Sequence, residues 1–263
     1  MKIYYIFKVT IEKIIKQLIR YRFDTISQLA GLYLLFMVMF YGMKLFGTTW
    51  NVSPLRLGNS LQSFIIGYFL WTIIMMAYSD IAYGITNDAS RGTLEQLNMT
   101  NIGLKTIIII RSICNIIIRL LFSLIILYII MDTTNYWLDL NLGQVLIVVL
   151  LGIFSILGLG LILGGLALIF KRIASLLNIV QYILIALVIP ELYSDYIFAP
   201  ILPFVPAINK VYDIVLGGES IWNSPIQDYL VIILNSVVYF IIGLVIFDKC
   251  AKVAKQKGLL GQY

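Results

Sequence analysis

Apolar residues run along this chain in long blocks separated by short polar intervals. Six blocks approach the ~20 residues a helix needs to cross a bilayer. They are Thr25–Phe46, Leu61–Tyr83, Leu104–Met131, Gly143–Phe170, Ile173–Leu192 and Tyr229–Phe247, the third being long enough to project at one end. The residues ahead of them follow a different pattern. On a helix, Ile3, Tyr4, Phe7, Ile11, Ile14, Ile15 and Leu18 share one face and Lys8, Glu12, Lys13, Lys16, Gln17 and Arg20 the other, with Ile6, Val9 and Ile19 blurring the edges. Such a helix lies in the membrane interface with its cations toward lipid phosphates, or serves only as a topogenic anchor. It has no uninterrupted apolar core and does not read as a signal peptide. The pattern predicts an all-α polytopic membrane protein: an amphipathic interfacial helix over 1–24, then a single six-span transmembrane domain over 25–263.

Charge orients the spans. Lys2, Lys8, Lys13, Lys16, Arg20 and Arg22 precede the first block. Arg91, Lys105, Arg111 and Arg119 cluster at the second gap, Lys171 and Arg172 at the fourth, and Lys249, Lys252, Lys255 and Lys257 in the tail. The alternate gaps hold only Lys44, Arg56 and Lys210, but carry Asp132, Asp139, Glu191, Asp195, Asp213, Glu219 and Asp228. The positive-inside rule then makes both termini cytoplasmic, which requires an even number of spans. The expected location is the cell membrane, and the Ile/Lys-rich composition is compatible with a bacterial source of low GC content.

Composition narrows the chemistry. Hydrophobic residues make up 61% of the 263 residues and charged ones 12%, so the net charge of +6 belongs to the membrane-facing ends and implies no nucleic-acid partner. Histidine is absent, which removes Ser-His-Asp and Cys-His nucleophiles and His-based zinc motifs. Cys114 lies in an apolar block and Cys250 in the basic tail, so they are expected to be free thiols. No metal or cofactor site is expected in this chain.

One polar piece interrupts the apolar blocks: Ser90-Arg91-Gly92-Thr93-Leu94-Glu95-Gln96-Leu97. Thr93 and Gln96 have capping-box spacing, Gly92 permits a turn, and Asn101 and Gly103 end the segment. This predicts a two-turn helix over Leu94–Thr100, with Leu94 and Leu97 on one face. A helix this short is not stable alone in water. It either docks on a cytosolic partner or packs on the chain's own helix ends as a turn.

Two long helices joined on the cytosolic side by this octet resemble the membrane subunits of type-2 ABC exporters. The amphipathic N-terminus, the six spans and the segment Phe198-Ala199-Pro200-Ile201-Leu202-Pro203-Phe204-Val205-Pro206, followed by Tyr212 and Leu216-Gly217-Gly218, are also similar to that family. The resemblance covers essentially the whole chain. It implies that the octet, within 88–101, is a coupling helix in which Arg91, Gly92, Thr93, Leu94, Glu95 and Leu97 contact an ABC ATP-binding subunit. It also implies a short re-entrant outer segment within 193–228. The family often has a denser run of charges before Gly-Thr, where this chain has Asn87-Asp88-Ala89-Ser90. No glycine is directly followed by lysine, so the chain has no phosphate loop, and ATP and Mg would be bound by the partner ATPase.

Polar residues inside spans are candidates for a pathway. Arg111 and Arg119 lie eight positions apart on nearly one face; they form a cationic stripe for an anionic cargo, or snorkel to the interface. Asn178 and Gln181 begin the fifth span, facing either a cavity between two subunits or the interface. Gly160 and Gly164 suit close helix packing. Glu191, Pro203, Phe204 and Pro206 are outer-gate candidates, with Glu191 and Asp195 read first as the solvated end of a span. The expected function is the permease subunit of an exporter, a homo- or heterodimer with a similar permease, moving a drug, lipid or amphipathic peptide. A self-sufficient secondary transporter or an intramembrane enzyme are the alternatives. The first would need internal repeats and acidic residues at mid-span, which the blocks as bounded above do not show; the second would need a catalytic cluster.

Overall fold

The computed structural model describes residues 2–49, 54–100, 102–138, 141–170, 173–193 and 196–258, and the side chains of all of these except 2, 3, 46–49, 54–60 and 191. Asp139, Lys171, Arg172 and Asp195, used above for orientation, and Asn101 lie outside the described residues, as do the side chains of Lys2, Arg56 and the gate candidate Glu191. Among the described residues the chain is helical with no strand. The α-helices are α1 (Lys2–Arg20), α2 (Arg22–Thr49), α3 (Pro54–Ser90), α4 (Leu94–Asn98), α5 (Leu104–Thr134), α6 (Leu142–Phe170), α7 (Ala174–Leu187), α8 (Val205–Val215) and α9 (Ile226–Gln256). Short 3-10 turns occupy Pro190–Leu192, Ala199–Ile201 and Ile221–Asn223.

Five helices, α2, α3, α5, α6 and α9, are long and apolar enough to cross a membrane. The fifth apolar block differs from expectation. Only 14 residues of it form α7, about 21 Å at 1.5 Å per residue, against a hydrocarbon core of ~30 Å. The physical reason is Pro190, which bars the helix from continuing and pushes Ile189 to an extended conformation.

Side-chain contacts give the running direction of each helix. Between α2 and α3, the Tyr68 hydroxyl donates to the Leu32 carbonyl at 2.6 Å and Phe36 stacks on Phe64 with ring centroids 5.5 Å apart, an antiparallel register. α5 is also antiparallel to α3, through Arg119–Asp80 and Arg111–Asp88. α6 runs parallel to α3, with Gly160 against Tyr78 and Gly164 against Ile81 and Ile85. It also runs parallel to α9, with Gly158 against the Tyr239 carbonyl and Gly165 against Phe247 and Cys250. α7 is antiparallel to α3: the Tyr78 hydroxyl donates to the Leu177 carbonyl, and Val188 lies against Gly67.

Helix α6 is the centre of the bundle, because small residues on two sides let neighbours approach closely. A Cβ at Gly158 would collide with the Tyr239 backbone, and one at Gly243 would meet the Gly158 carbonyl. Ser236 adds a bond from its hydroxyl to the Leu151 carbonyl at 2.7 Å. Cys114 and Cys250 are both free and buried.

Candidate functional site

The octet begins as the end of α3. The Gly92 N–H donates to the Ala89 carbonyl at 3.0 Å and the Thr93 N–H to the Asp88 carbonyl at 2.9 Å. Gly92 sits at φ +68°. This is a Schellman stop, which needs a left-handed residue one place beyond the cap. The capping box predicted from Thr93 and Gln96 does not form: Thr93 makes no side-chain cap, because its hydroxyl donates instead to the Asp88 carbonyl at 3.0 Å. The helix that follows is shorter than predicted, ending at Asn98.

Its apolar face is used internally. Leu94 is 1% exposed, within the main core, and Leu97 packs against that core. Arg91, Gly92, Glu95, Gln96 and Met99 are exposed, and Thr93 is half-buried. The octet is therefore anchored through Thr93 and Leu94 and presents Arg91 and Glu95 outward. The Lys105 ammonium pairs with Asp248 at 2.6 Å, so the C-terminal part of α9 lies at this same end of the bundle.

Arg111 and Arg119 do not form a free cationic stripe. Arg111 pairs with Asp88, and Arg119 with Asp80 at 3.3 Å, as two rungs between α5 and α3. Arg111 lies over Gly84, between the two acids. One Asp80 oxygen and one Arg111 nitrogen are buried without a partner. Asp80 and Asp88 were missed in the sequence because ending the second span at Tyr83 put Asp80 at its margin, whereas the helix runs on to Ser90. Asp80 lies ten residues before the end of this helix. The legible signal was the shared spacing of eight: Asp80 and Asp88, Arg111 and Arg119.

At the other end of α3 a groove of about 670 Å³ opens between α2, α3, α7 and α8. Met39, Phe64, Tyr68, Trp71 and Ile185 are part of its wall, and Gln181 reaches it from α7. The structure thus brings Gln181 to the groove, while Asn178 is exposed elsewhere on α7. The Trp71 indole N–H is buried in the wall without a partner. The Tyr212 hydroxyl closes one side, within 3.2 Å of both the Ser63 and Val188 carbonyls.

Within the 193–228 segment, Pro200–Phe204 is pinned by α9. The Asn235 amide donates to the Pro200 carbonyl at 2.9 Å and the Leu202 carbonyl at 3.0 Å, and its oxygen accepts from the Phe204 N–H. Phe204, in a left-handed conformation at φ +67°, is buried against Gly152. Pro203 and Pro206 are half-buried beside it. Sequence reasoning missed Asn235, whose partners lie more than thirty residues away. Lys210 is 4% exposed at its side chain and donates to Glu219 at 2.8 Å and Asp228 at 3.0 Å. Burial alone would lower the Lys210 pKa, but the hydrogen bonds to Glu219 and Asp228 outweigh it and hold the ammonium above its ordinary value. Burial, then the neighbouring Glu219, raises the Asp213 carboxyl.

A family comparison places this arrangement among known proteins. The sequence model described as ABC-2 family transporter protein matches residues 48–245, about three quarters of the chain. The chain belongs to the ABC-2 transporter family. The match spans α3 to α8 and most of α9, and leaves α1 outside it. It makes the chain a multi-pass membrane component of an ABC transporter, a family whose members in general associate with an ABC ATPase subunit. A comparison with curated proteins returned no match.

Proposed function

We propose that this ABC-2 protein is the permease subunit of an ATP-driven exporter, working as a dimer and driven through the octet by separate ATPase subunits that bind ATP and Mg. The observation that carries this is the octet itself. Its apolar residue Leu94 is spent on the chain's own core, and its backbone is locked to Asp88, so Arg91 and Glu95 are held outward on a rigid mount. A loop serving only as a turn has no need of that presentation.

Six crossings fit the helix directions better than five. α6 and α9 both run toward the octet end, so the chain must return between them, and α7 with the turn at Pro190–Leu192 supplies that return. Both termini then share the octet's side, which the Lys and Arg distribution makes cytoplasmic. The hairpin around α8 would be the re-entrant outer segment, with Pro203, Phe204 and Pro206 inside its fold. On α7, Ser175, Asn178 and Tyr182 are exposed, and the remaining residues are apolar except for Gln181. Polar groups of this kind favour a protein neighbour over lipid, and a second permease is the neighbour this reading supplies.

The test is co-purification of the chain with an ATPase subunit from its own host, followed by ATP-driven export from inverted vesicles. Glu95→Lys is expected to abolish assembly or coupling while leaving the permease folded. Unchanged export and assembly in Glu95→Lys would remove the docking role. Full transport activity by the chain alone would remove the exporter reading and favour a secondary transporter.

A further inference from the structure

We infer that the groove between α2, α3, α7 and α8 binds an uncharged, largely aromatic small molecule carrying one hydrogen-bonding group, which rests on the permease reading and names the class of its cargo. The charge argument comes first. Among the described residues no Lys, Arg, Asp or Glu lines the groove. An ion placed there would lose its hydration and find no counter-charge among these residues, which costs several kcal/mol or shifts the ion to its neutral form. The two arginines available for an anionic cargo are paired with Asp80 and Asp88 and are not part of the wall.

Polar chemistry is sparse and placed. Among the described residues the Gln181 side-chain amide has no hydrogen-bond partner, and it lines a wall that is otherwise apolar at most positions. An amide can donate and accept, so a carbonyl or hydroxyl on the ligand satisfies it. Phe64, Tyr68 and Trp71 offer ring surfaces, Tyr68 and Trp71 lying 5.2 Å apart between centroids, and these favour a planar guest over a flexible acyl chain. Met39 and Met43 adapt to varied shapes. The volume of about 670 Å³ falls within the ~300–1,000 Å³ of sites for drug-sized ligands.

The experiment uses the full chain in phosphatidylcholine nanodiscs, titrated with two dyes and corrected with empty discs. Nile red is uncharged, planar and carbonyl-bearing; 1-anilinonaphthalene-8-sulfonate is an aromatic anion. Saturable Nile red binding is expected, without saturable binding of the sulfonate. Ser63→Trp, which fills the groove, should abolish Nile red binding. Gln181→Leu should weaken it about three- to tenfold, the loss of one neutral hydrogen bond, and this milder variant decides the matter if Ser63→Trp does not fold. Nile red binding unchanged in Gln181→Leu and in a folded Ser63→Trp, or equally tight binding of the sulfonate, would overturn the assignment. Displacement of Nile red by diacylglycerol in the discs would overturn it in favour of a lipid occupant. The binding assay needs no ATPase. Groove binding without any ATP-driven export therefore overturns the exporter reading alone, and export indifferent to both variants overturns the groove alone.

Discussion

Asp88 and Arg111 offer the sharpest test of how α3 and α5 are held together. Their side chains are 17% and 21% exposed, so each charge depends mainly on the other. Removing one member of a buried pair costs about 3–5 kcal/mol, because the remaining charge is left without a partner. The residual exposure here puts the cost just below that range, at about 2–3 kcal/mol, for Asp88→Ala or Arg111→Met alone. The double variant removes both charges and should be within ~1 kcal/mol of the wild type, since apolar replacement of a buried pair is often close to neutral. The coupling between the two positions is then about 3 kcal/mol or more by a double-mutant cycle. Thermal unfolding in detergent, followed by tryptophan fluorescence, should show each single variant lowered by roughly 4–12 °C, from ~2–4 °C per kcal/mol, and most of that recovered in the double. Asp80 and Arg119, 3.3 Å apart with the arginine 31% exposed, should show a smaller coupling. If the double variant is as unstable as the two singles added together, the rungs do not act as pairs and the register drawn from them is wrong.

Two other outcomes follow from close contacts elsewhere. Gly158→Val should separate α6 from α9, because the collision is with Tyr239 backbone and no rotamer can relieve it; a loss of folded protein on size-exclusion chromatography checks this, and a stable monodisperse variant would contradict the packing. Lys210 has a folded pKa above its ordinary value, so its contribution is complete at neutral pH and disappears only as pH rises through the raised value. Lys210→Met should therefore lower stability at pH 7 and flatten the alkaline limb of the Tm-versus-pH curve, whereas an unchanged alkaline limb would show that Glu219 and Asp228 do not hold it.

Long apolar blocks made the helices legible, since nothing but a helix or closed barrel satisfies backbone groups in lipid. The octet was found at its true position, but its chemistry was misread. Thr-x-x-Gln suits a capping box only if the Thr93 groups are free, and the Gly92 stop had already turned both toward Asp88. The fifth span was drawn too long because hydropathy continues through Val188 and Ile189 where Pro190 ends the helix. Polarity alone singles out both Gln181 and Asn178; only folding shows that Gln181 shares a groove with Tyr68 and Trp71 while Asn178, three residues earlier, does not line it. Asn235 could not be read at all: an asparagine in an apolar helix says that a partner exists, and not that the partners are the Pro200 and Leu202 carbonyls.

Helix α3 carries the octet mount at one tip and the groove wall from Ser63 to Trp71 near the other, with one unbroken hydrogen-bonded ladder between them. Measured from Ser90, the groove residues lie about 28–40 Å along the axis at 1.5 Å per residue. Such a rod is a lever. Pivoted near Asp88, a tilt of roughly 5° at the octet sweeps the far wall through about 3 Å over that length, close to the thickness of an aromatic ring. At Asp80, about 12 Å from that pivot, the same tilt moves the backbone by only about 1 Å, while the far wall moves enough to narrow the space between Trp71 and α7.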